Sequence, residues 1–273
     1  MEISIITSNI SADFLSPPGV PSWDERKQKY IDVLLQANPD IIGLQEVTPK
    51  QFLFLKTNFA DFSALSVHVN NPTQELMTAW KQKYEKFGLP EVPSPYEIIL
   101  FYRTNTLDLL TSGYWWLSPT PEVPSIGFGN IAPRIVLWAH LRQKSSGKEF
   151  IIFNTHIDHR SPTPMVELCK KLFSTFAEKY PSLIFIGDLN FNEKDPNYES
   201  LVKDGWHDSC QVSKDINSAT FLYEIPSIPG GRIDHVLYKS AELTPVLWQR
   251  LMPSDPKQRI SDHDPVNAKL RFG

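Results

Sequence analysis

Asp188 and Asn190 stand two residues apart, just beyond the apolar run Leu183-Ile184-Phe185-Ile186, with Gly187 separating the run from the acid. In an extended chain, residues i and i+2 point to the same side, so the carboxylate and the carboxamide are presented together. An acid that can take a proton beside an amide that can donate a hydrogen bond is half of a hydrolytic site. The same pair also reads as a polar turn, since Asp and Asn are common turn residues. Other polar groups recur in the same relation to apolar runs. Asn9 follows residues 3–7, Glu46 follows 41–44, and His156 follows 150–153. Asp234 opens a run reaching residue 238, and Asp262 with His263 precedes the alternating residues 266, 268 and 270. Each alone is a cap or a turn. Six such positions, eight residues in all, are better explained as one site on the edge of a rigid scaffold.

Buried strands must position these groups. The continuous runs at 41–44 and 183–186 have the length of strands covered on both faces. Gly187 falls where the backbone needs freedom. Residues 65, 67 and 69 alternate with polar neighbours, and Glu97 opens a strand over 98–102. Residues 135, 137, 139 and 141 also alternate, and Ser145-Ser146-Gly147 turns the chain into 150–153 as a hairpin. Helices lie between. Ser22 to Glu25 forms a capping box before Trp23, Tyr30, Ile31, Leu34 and Leu35, one face at helical spacing, and Asn38-Pro39 ends that helix. Residues 51–58 read as helical. Residues 73–87 do too, with Trp80, Tyr84 and Phe87 on one face. Thr163 caps a further helix with Pro164 in its first turn. The buried face of that helix includes Met165 and Cys169, which makes Cys169 core rather than nucleophile. A short helical stretch follows residue 190. The stretch 113–134, rich in Pro, Trp and Gly, reads as irregular and too long for a plain connection.

Composition narrows the class. Of 273 residues, 41% are hydrophobic and 21% charged, as in an ordinary globular protein. The formal net charge is −4, which argues against an extended nucleic-acid footprint but leaves room for a local basic groove. Two distant cysteines, Cys169 and Cys210, have no metal-like spacing and suit a reducing compartment. With no leader-like N-terminus and no apolar run of membrane-spanning length, the expected location is cytoplasmic. Of the 23 prolines, eleven gather at 17–21, 90–95, 119–124 and 226–229, none of these stretches linker-like. Residues 1–273 are therefore expected to form a single domain, with an insertion at 70–95.

The motifs Thr-Ser-Asn-Ile (7–10), Leu-Gln-Glu-Val (44–47), Asn-Thr-His-Ile-Asp-His (154–159), Gly-Asp-Leu-Asn (187–190), Arg-Ile-Asp-His-Val (232–236) and Ser-Asp-His-Asp-Pro-Val (261–266) occur in this order along nearly the whole chain. In this ordered set the chain resembles the endonuclease/exonuclease/phosphatase family of deoxyribonuclease-I-like, metal-dependent phosphohydrolases. The resemblance implies an α/β (α+β) fold, a four-layer α/β/β/α sandwich of two mostly antiparallel sheets flanked by helices, with the site at one end. It also implies Glu46 as the main metal ligand, with Asn9 and Asp262 close to the metal. Such oxygen donors suit Mg²⁺, with Mn²⁺ as a substitute. His156 is implied to contact the phosphate or leaving group, with Glu97 orienting it. Asn190 is implied to hydrogen-bond the phosphorus centre, and Asp234 to hold the tautomer of His263. Arg134 is implied to bind a phosphate oxygen through its planar fork. Asp188 and His263 remain competing candidates for the general base. A zinc site built on His156 and His159 lacks coherent third and fourth ligands. Relatives in the branch with an Asn-Thr-His-Leu-Asp-His motif carry an Arg at the start of the next helix, where this chain has Met165, with Arg160 nearby. The segment 113–122 resembles a branch of small bacterial hydrolases.

Phosphoester hydrolysis needs negative charge neutralised, a water aligned and a leaving oxygen protonated or metal-bound. One metal, two imidazoles and several carboxylates supply all three. The expected function is a Mg²⁺-dependent phosphoesterase acting on a compact phosphorylated substrate. The alternatives are a nuclease on DNA or RNA, and a binding protein that kept the scaffold without catalysis. No protein partner follows from the sequence.

Overall fold

The computed structural model describes residues 1–15, 17–68, 74–86, 97–213, 219–221, 223, 231–252 and 258–273. Its strands are β1 (Glu2–Asn9), β2 (Ile41–Val47), β3 (Phe62–His68), β4 (Glu97–Arg103), β5 (Leu107–Trp116), β6 (Ile135–Gln143), β7 (Glu149–His156), β8 (Ser182–Asp188), β9 (His207–Asp208), β10 (Asp234–Ser240), β11 (Leu243–Arg250) and β12 (Val266–Phe272). The helices are α1 (Trp23–Gln36), α2 (Pro49–Asn58), α3 (Gln74–Lys86), α4 (Pro162–Ala177) and α5 (Pro196–Lys203). The strands form two six-stranded sheets, ordered β11-β12-β1-β2-β4-β3 and β5-β6-β7-β8-β10-β9. Each is antiparallel apart from one parallel pair near its middle, β1 with β2 and β7 with β8.

Three apolar clusters follow from the period of two along each strand. Ile3 and Ile5 of β1, Leu100 of β4, Ile152 of β7, Ile184 and Ile186 of β8 and Val236 of β10 fill the space between the sheets. The alternate residues face outward. Ile6, Ile42, Leu44, Ile99 and Phe101 receive Trp23, Tyr30, Leu34 and Leu55 from α1 and α2. Ile151, Phe153, Leu183 and Phe185 receive Met165, Cys169 and Phe173 from α4, and Leu201 from α5. The result is the expected four-layer sandwich of two mostly antiparallel sheets. The strands with helices on one face and a sheet on the other are the ones whose sequences run apolar without alternation. Fully burying such side chains contributes roughly 1.5–3 kcal/mol each.

Polar residues also tie the sheets together. Asn154, on β7, donates to Leu44 O at 3.2 Å and Ile99 O at 2.9 Å in the opposite sheet, and accepts from Gln45 Nε2 at 2.7 Å. All three partners are buried, so the bond between the two side chains fixes the relative position of the sheets just behind their polar end. Gly43 permits the approach: a Cβ there would lie 3.1 Å from Asn154 Cγ and 2.4 Å from Ile186 Cδ1.

Three sequence expectations change. Residues 113–116 are not irregular but the second half of β5, paired with β6. Its pattern, with buried residues only at its two ends and the rest exposed or half-buried, gives weak periodicity. The helix after His159 starts at Pro162 with Ser161 as its cap, two residues earlier than expected, so both prolines sit in its first turn. β11, an edge strand interrupted by a bulge between Pro245 and Leu247, carried no clean alternation and was not expected. Within the expected insertion, α3 is described and Trp80 is fully buried. The Tyr84 side chain, Phe87 and Val69 lie outside the described residues.

Candidate active site

Strand parity brings most of the expected site residues together. Asn9 shares the inward parity of Ile3 and Ile5, His156 that of Ile152, Asp188 that of Ile184 and Ile186, and Asp234 that of Val236. All four lie at the same end of the sandwich, where β1, β7 and β8 finish and β10 begins. Glu46 has the wrong parity, matching the outward Ile42 and Leu44. A register shift between Leu44 and Val47 breaks the ladder there, and Glu46 sits in the left-handed region at φ 60°. This bulge re-aims the carboxylate, a known use of such irregularities. Ser11 (φ 59°) and Asn190 (φ 56°) are also left-handed, so three of the strained non-glycine positions surround this site.

Asp188 is the centre. Its Oδ2 accepts from Asn9 Nδ2 at 3.0 Å and lies 3.4 Å from His156 Nε2 and 3.7 Å from His263 Nε2. Its Oδ1 accepts from Asn190 N at 3.0 Å. Burial pushes its carboxyl pKa upward, and Asp234 and Glu46 add to that against the opposing effects of His263 and Asn9. His263 Nδ1 lies 2.9 Å from Asp234 Oδ2. Burial alone would lower this imidazole, but Asp234, Asp188 and Asp262 together raise it well above its ordinary value. His156 behaves oppositely: burial, Arg134 and His263 hold it well below its ordinary value. Asn190 Nδ2 donates to Ile157 O at 2.8 Å, which fixes the amide orientation, and reaches His156 Nε2 at 3.0 Å. That nitrogen is therefore the acceptor, and the neutral ring carries its proton on Nδ1, facing Glu46 Oε1 at 3.9 Å.

The carboxylates exceed the nearby cations. Glu46 accepts a long bond from Ala12 N at 3.4 Å, and its pKa is raised by burial and then by Asp262, against the opposing effect of the Asn9 amide. Asp234 Oδ1 is buried without a hydrogen-bond partner among the described residues. Crowded, under-satisfied oxygen donors of this kind fit a hard divalent cation. Among the described residues, Asp188, Asp234 and His263 also bring donor atoms within 4.8 Å of one another, but Asp234 and His263 are already bonded to each other. Asp262 lies close enough to Glu46 for its charge to raise that carboxyl, and the Asn9 amide beside them is held by Asp188 and Ser11.

Arg134, just before β6, donates through Nε to the buried Asp158 at 3.4 Å and lies close enough to stabilise the charged form of Glu46. Glu97 pairs through its backbone with Val47, next to Glu46, while its side chain lies outside the described residues. Met165 is fully buried under β7 and β8. Residues with no role assigned from the sequence brace the site. Thr220 Oγ1 accepts from Ile233 N and Asp234 N, each at 3.1 Å. The Phe221 ring lies 4.8 Å from that of His263. Asp208 binds Arg232 and, at 3.1 Å, His235 Nδ1, and His235 Nε2 meets Phe191 O at 3.0 Å. Arg232 and His235 flank the Asp234 motif, the one signal that marked them in advance.

Comparison with known proteins identifies the family and the fold. Residues 6–263 match the model of the Endonuclease/Exonuclease/phosphatase family. An uncharacterized protein of Acanthamoeba polyphaga mimivirus is 31% identical over 180 residues, covering 64% of this chain and 62% of that protein. Nocturnin of Drosophila melanogaster is 25% identical over 193 residues, 68% of this chain but 27% of its own length. The match thus spans less than two thirds of either relative. The crystal structure of an endonuclease/exonuclease/phosphatase from Bacteroides vulgatus superposes with a TM-score of 0.80 at 22% identity, covering 100% of both chains. From the match over nearly its whole length, the chain belongs to the endonuclease/exonuclease/phosphatase family.

Proposed function

We propose that the protein is a divalent-metal-dependent phosphoester hydrolase acting on a compact phosphorylated substrate by in-line attack of water. The observation that supports this most is Asp188, buried between two imidazoles of opposite charge preference, His263 and His156. A hydrolase needs one group to take a proton from water and others to stabilise the charge that develops on phosphorus oxygens. Glu46, Asn9 and Asp262 would hold Mg²⁺, with Mn²⁺ as a substitute, and the bound ion would supply Lewis-acid polarisation of the phosphoryl group.

The protein's own groups divide the remaining work. Asp188, with its raised proton affinity, orients the water and receives its proton. His263 is favoured in its charged form by Asp234, so it acts as a fixed cation and donor toward the phosphoryl oxygens rather than as the base. The Nδ1–H of neutral His156 donates to the phosphate or the leaving oxygen. Asn190, expected from the resemblance to bond the phosphorus centre, directs both amide hydrogens at Ile157 O and His156 Nε2 and so holds His156. The Arg134 guanidinium, anchored through Nε by Asp158, directs its remaining donors at a phosphate oxygen. Residues 1–273 are read as one domain, because strands from both ends of the chain share the cluster between the sheets.

The test is hydrolysis of bis-p-nitrophenyl phosphate with and without Mg²⁺, followed by nucleotides, oligonucleotides, inositol phosphates and sphingomyelin. Metal-dependent turnover is expected, with compact esters preferred. Failure of every substrate with both Mg²⁺ and Mn²⁺ would leave a binding protein on the same scaffold.

A further inference from the structure

Arg26 lies on α1, against the loops that follow Asn9 and precede Asp262. It is 4% exposed. Its Nη1 donates to Ile10 O at 2.7 Å and to Ile260 O at 2.6 Å, and its Nη2 donates to Ser11 O at 2.7 Å. Its Cζ sits 5.1 Å from the centre of the Trp23 ring. Among the described residues no carboxylate pairs with it, and its Nε has no hydrogen-bond partner. A buried guanidinium without a paired acid is costly, and a neutral amide could tie two loops at lower desolvation cost. The placement of this charge therefore calls for a reason.

The three carbonyls supply one. Ile10 and Ser11 immediately follow Asn9, and Ser11 N donates back to Asn9 Oδ1 at 3.0 Å. Ile260 precedes Ser261 and Asp262, and Ser261 Oγ donates to Asn9 O at 2.7 Å. One rigid, planar fork thus spans the two loops that present Asn9 and Asp262. Gln51 Nε2 adds a second donor to Ser11 O at 2.9 Å. Asp262 and Asp13 are the carboxylates whose charge Arg26 feels, so it also places a fixed positive charge behind the acidic end of the sandwich.

We propose that Arg26 is a positioning residue for the divalent-cation site: it sets the spacing between Asn9 and Asp262 from behind, without touching substrate. This rests on the phosphohydrolase reading above. Lysine keeps the charge but cannot span three carbonyls with a planar fork, glutamine keeps a donor without the charge, and methionine keeps neither.

The experiment measures Mg²⁺ and Mn²⁺ binding by calorimetry, and kcat and KM on bis-p-nitrophenyl phosphate, for the parent and for Arg26→Lys, Arg26→Gln and Arg26→Met. The expected result is metal affinity lowered ~10–100-fold, the range of losses when a group supporting a ligand is removed. Lysine should be least affected and methionine most, with kcat falling at fixed metal and KM for the ester nearly constant. Lower melting temperature with parental metal affinity in all three variants would mark Arg26 as structural only and overturn the proposal. If the Arg26 variants do not fold, Gln51→Leu, which removes the other side-chain donor to Ser11 O, must weaken metal binding, and parental affinity there overturns the clamp. A parent that neither binds metal nor cleaves the ester would instead refute the phosphohydrolase reading, and this inference with it.

Discussion

Charge preference at single residues determines what each site group can do. Asp188 and His263 are both shifted toward holding a proton, Asp188 mainly by burial and His263 by the acids around it against the effect of burial. His156 is shifted away from one. Replacing Asp188 with Asn, or His263 with Ala, is expected to reduce turnover by ~10²–10⁴-fold. Melting temperature should change little for Asp188→Asn and fall for His263→Ala, which strands the buried Asp234, and single-turnover kinetics beside thermal melts is the check. Glu46→Gln conserves shape and removes the charge, so metal titration should show a loss at least as large as the ~10–100-fold typical of outer groups, with folding intact. Metal affinity equal to the parent's would remove Glu46 from the cation site. Sequence alone made the inward group legible, because Asn9, His156, Asp188 and Asp234 obey simple strand parity. Glu46 does not. Its place depends on a bulge and a left-handed φ, and the local sequence Gln-Glu-Val contains no glycine to announce either. Arg26 was invisible for another reason: on a helix face, a buried arginine has the same spacing as a solvated one.

Elements hold these groups through contacts that sequence periodicity does not encode. Gly187 has φ 147°, and a Cβ there would fall 2.0 Å from Thr155 O. The reading of Gly187 as a point of backbone freedom thus holds, with a close approach of β7 added to it. Gly187→Ala would separate the strands carrying His156 and Asp188 and is expected to cost ~3 kcal/mol or more, measured by urea unfolding. Asp208, Arg232 and His235 tie β9, β10 and the chain after Asn190 into one buried unit. Burial alone would raise the Asp208 carboxyl, but His235 and Arg232 hold it far below its ordinary value of 3.8. A depressed acid contributes stability above its unfolded value and loses that contribution as pH falls through the lower folded value. Asp208→Asn is therefore expected to cost ~3–5 kcal/mol near neutrality, since it strands a buried Arg232. The gap to the parent should be constant above about pH 5 and narrow steadily below pH 4. Melting temperatures from pH 2 to 7 decide this, and a gap that widens on acidification would contradict it. The strands with continuous apolar runs were readable because both faces are covered. The edge strands β5 and β11 were not, since one exposed face and a bulge blur the alternation.

For the molecule as a whole, the question is what an acidic sandwich with its site at one end can grip. The net charge is −4, and the described exposed charges of α3 carry both signs: Glu75, Lys81, Glu85 and Lys86. A protein that tracks a duplex needs a row of cations, and each phosphate neutralised releases counterions, so affinity falls steeply with salt at a slope set by the number of contacts. Among the described residues the cations placed near Asp188 are Arg134 and His263, joined by the divalent ion proposed for Glu46. On the proposed function, such a site is expected to recognise one phosphoryl group strongly and a polyanion weakly. The measurement is kcat/KM for a short duplex DNA and for small phosphodiesters across a series from ~50 to 200 mM salt. Compact esters are expected to be cleaved more efficiently, with shallow salt dependence because one phosphate is held. A duplex, if cleaved, should be a poor substrate without the ~10³–10⁵-fold salt loss of a multi-phosphate grip. Efficient duplex cleavage with that steep loss would place the protein among the nucleases of its family, with a basic track lying outside the residues described.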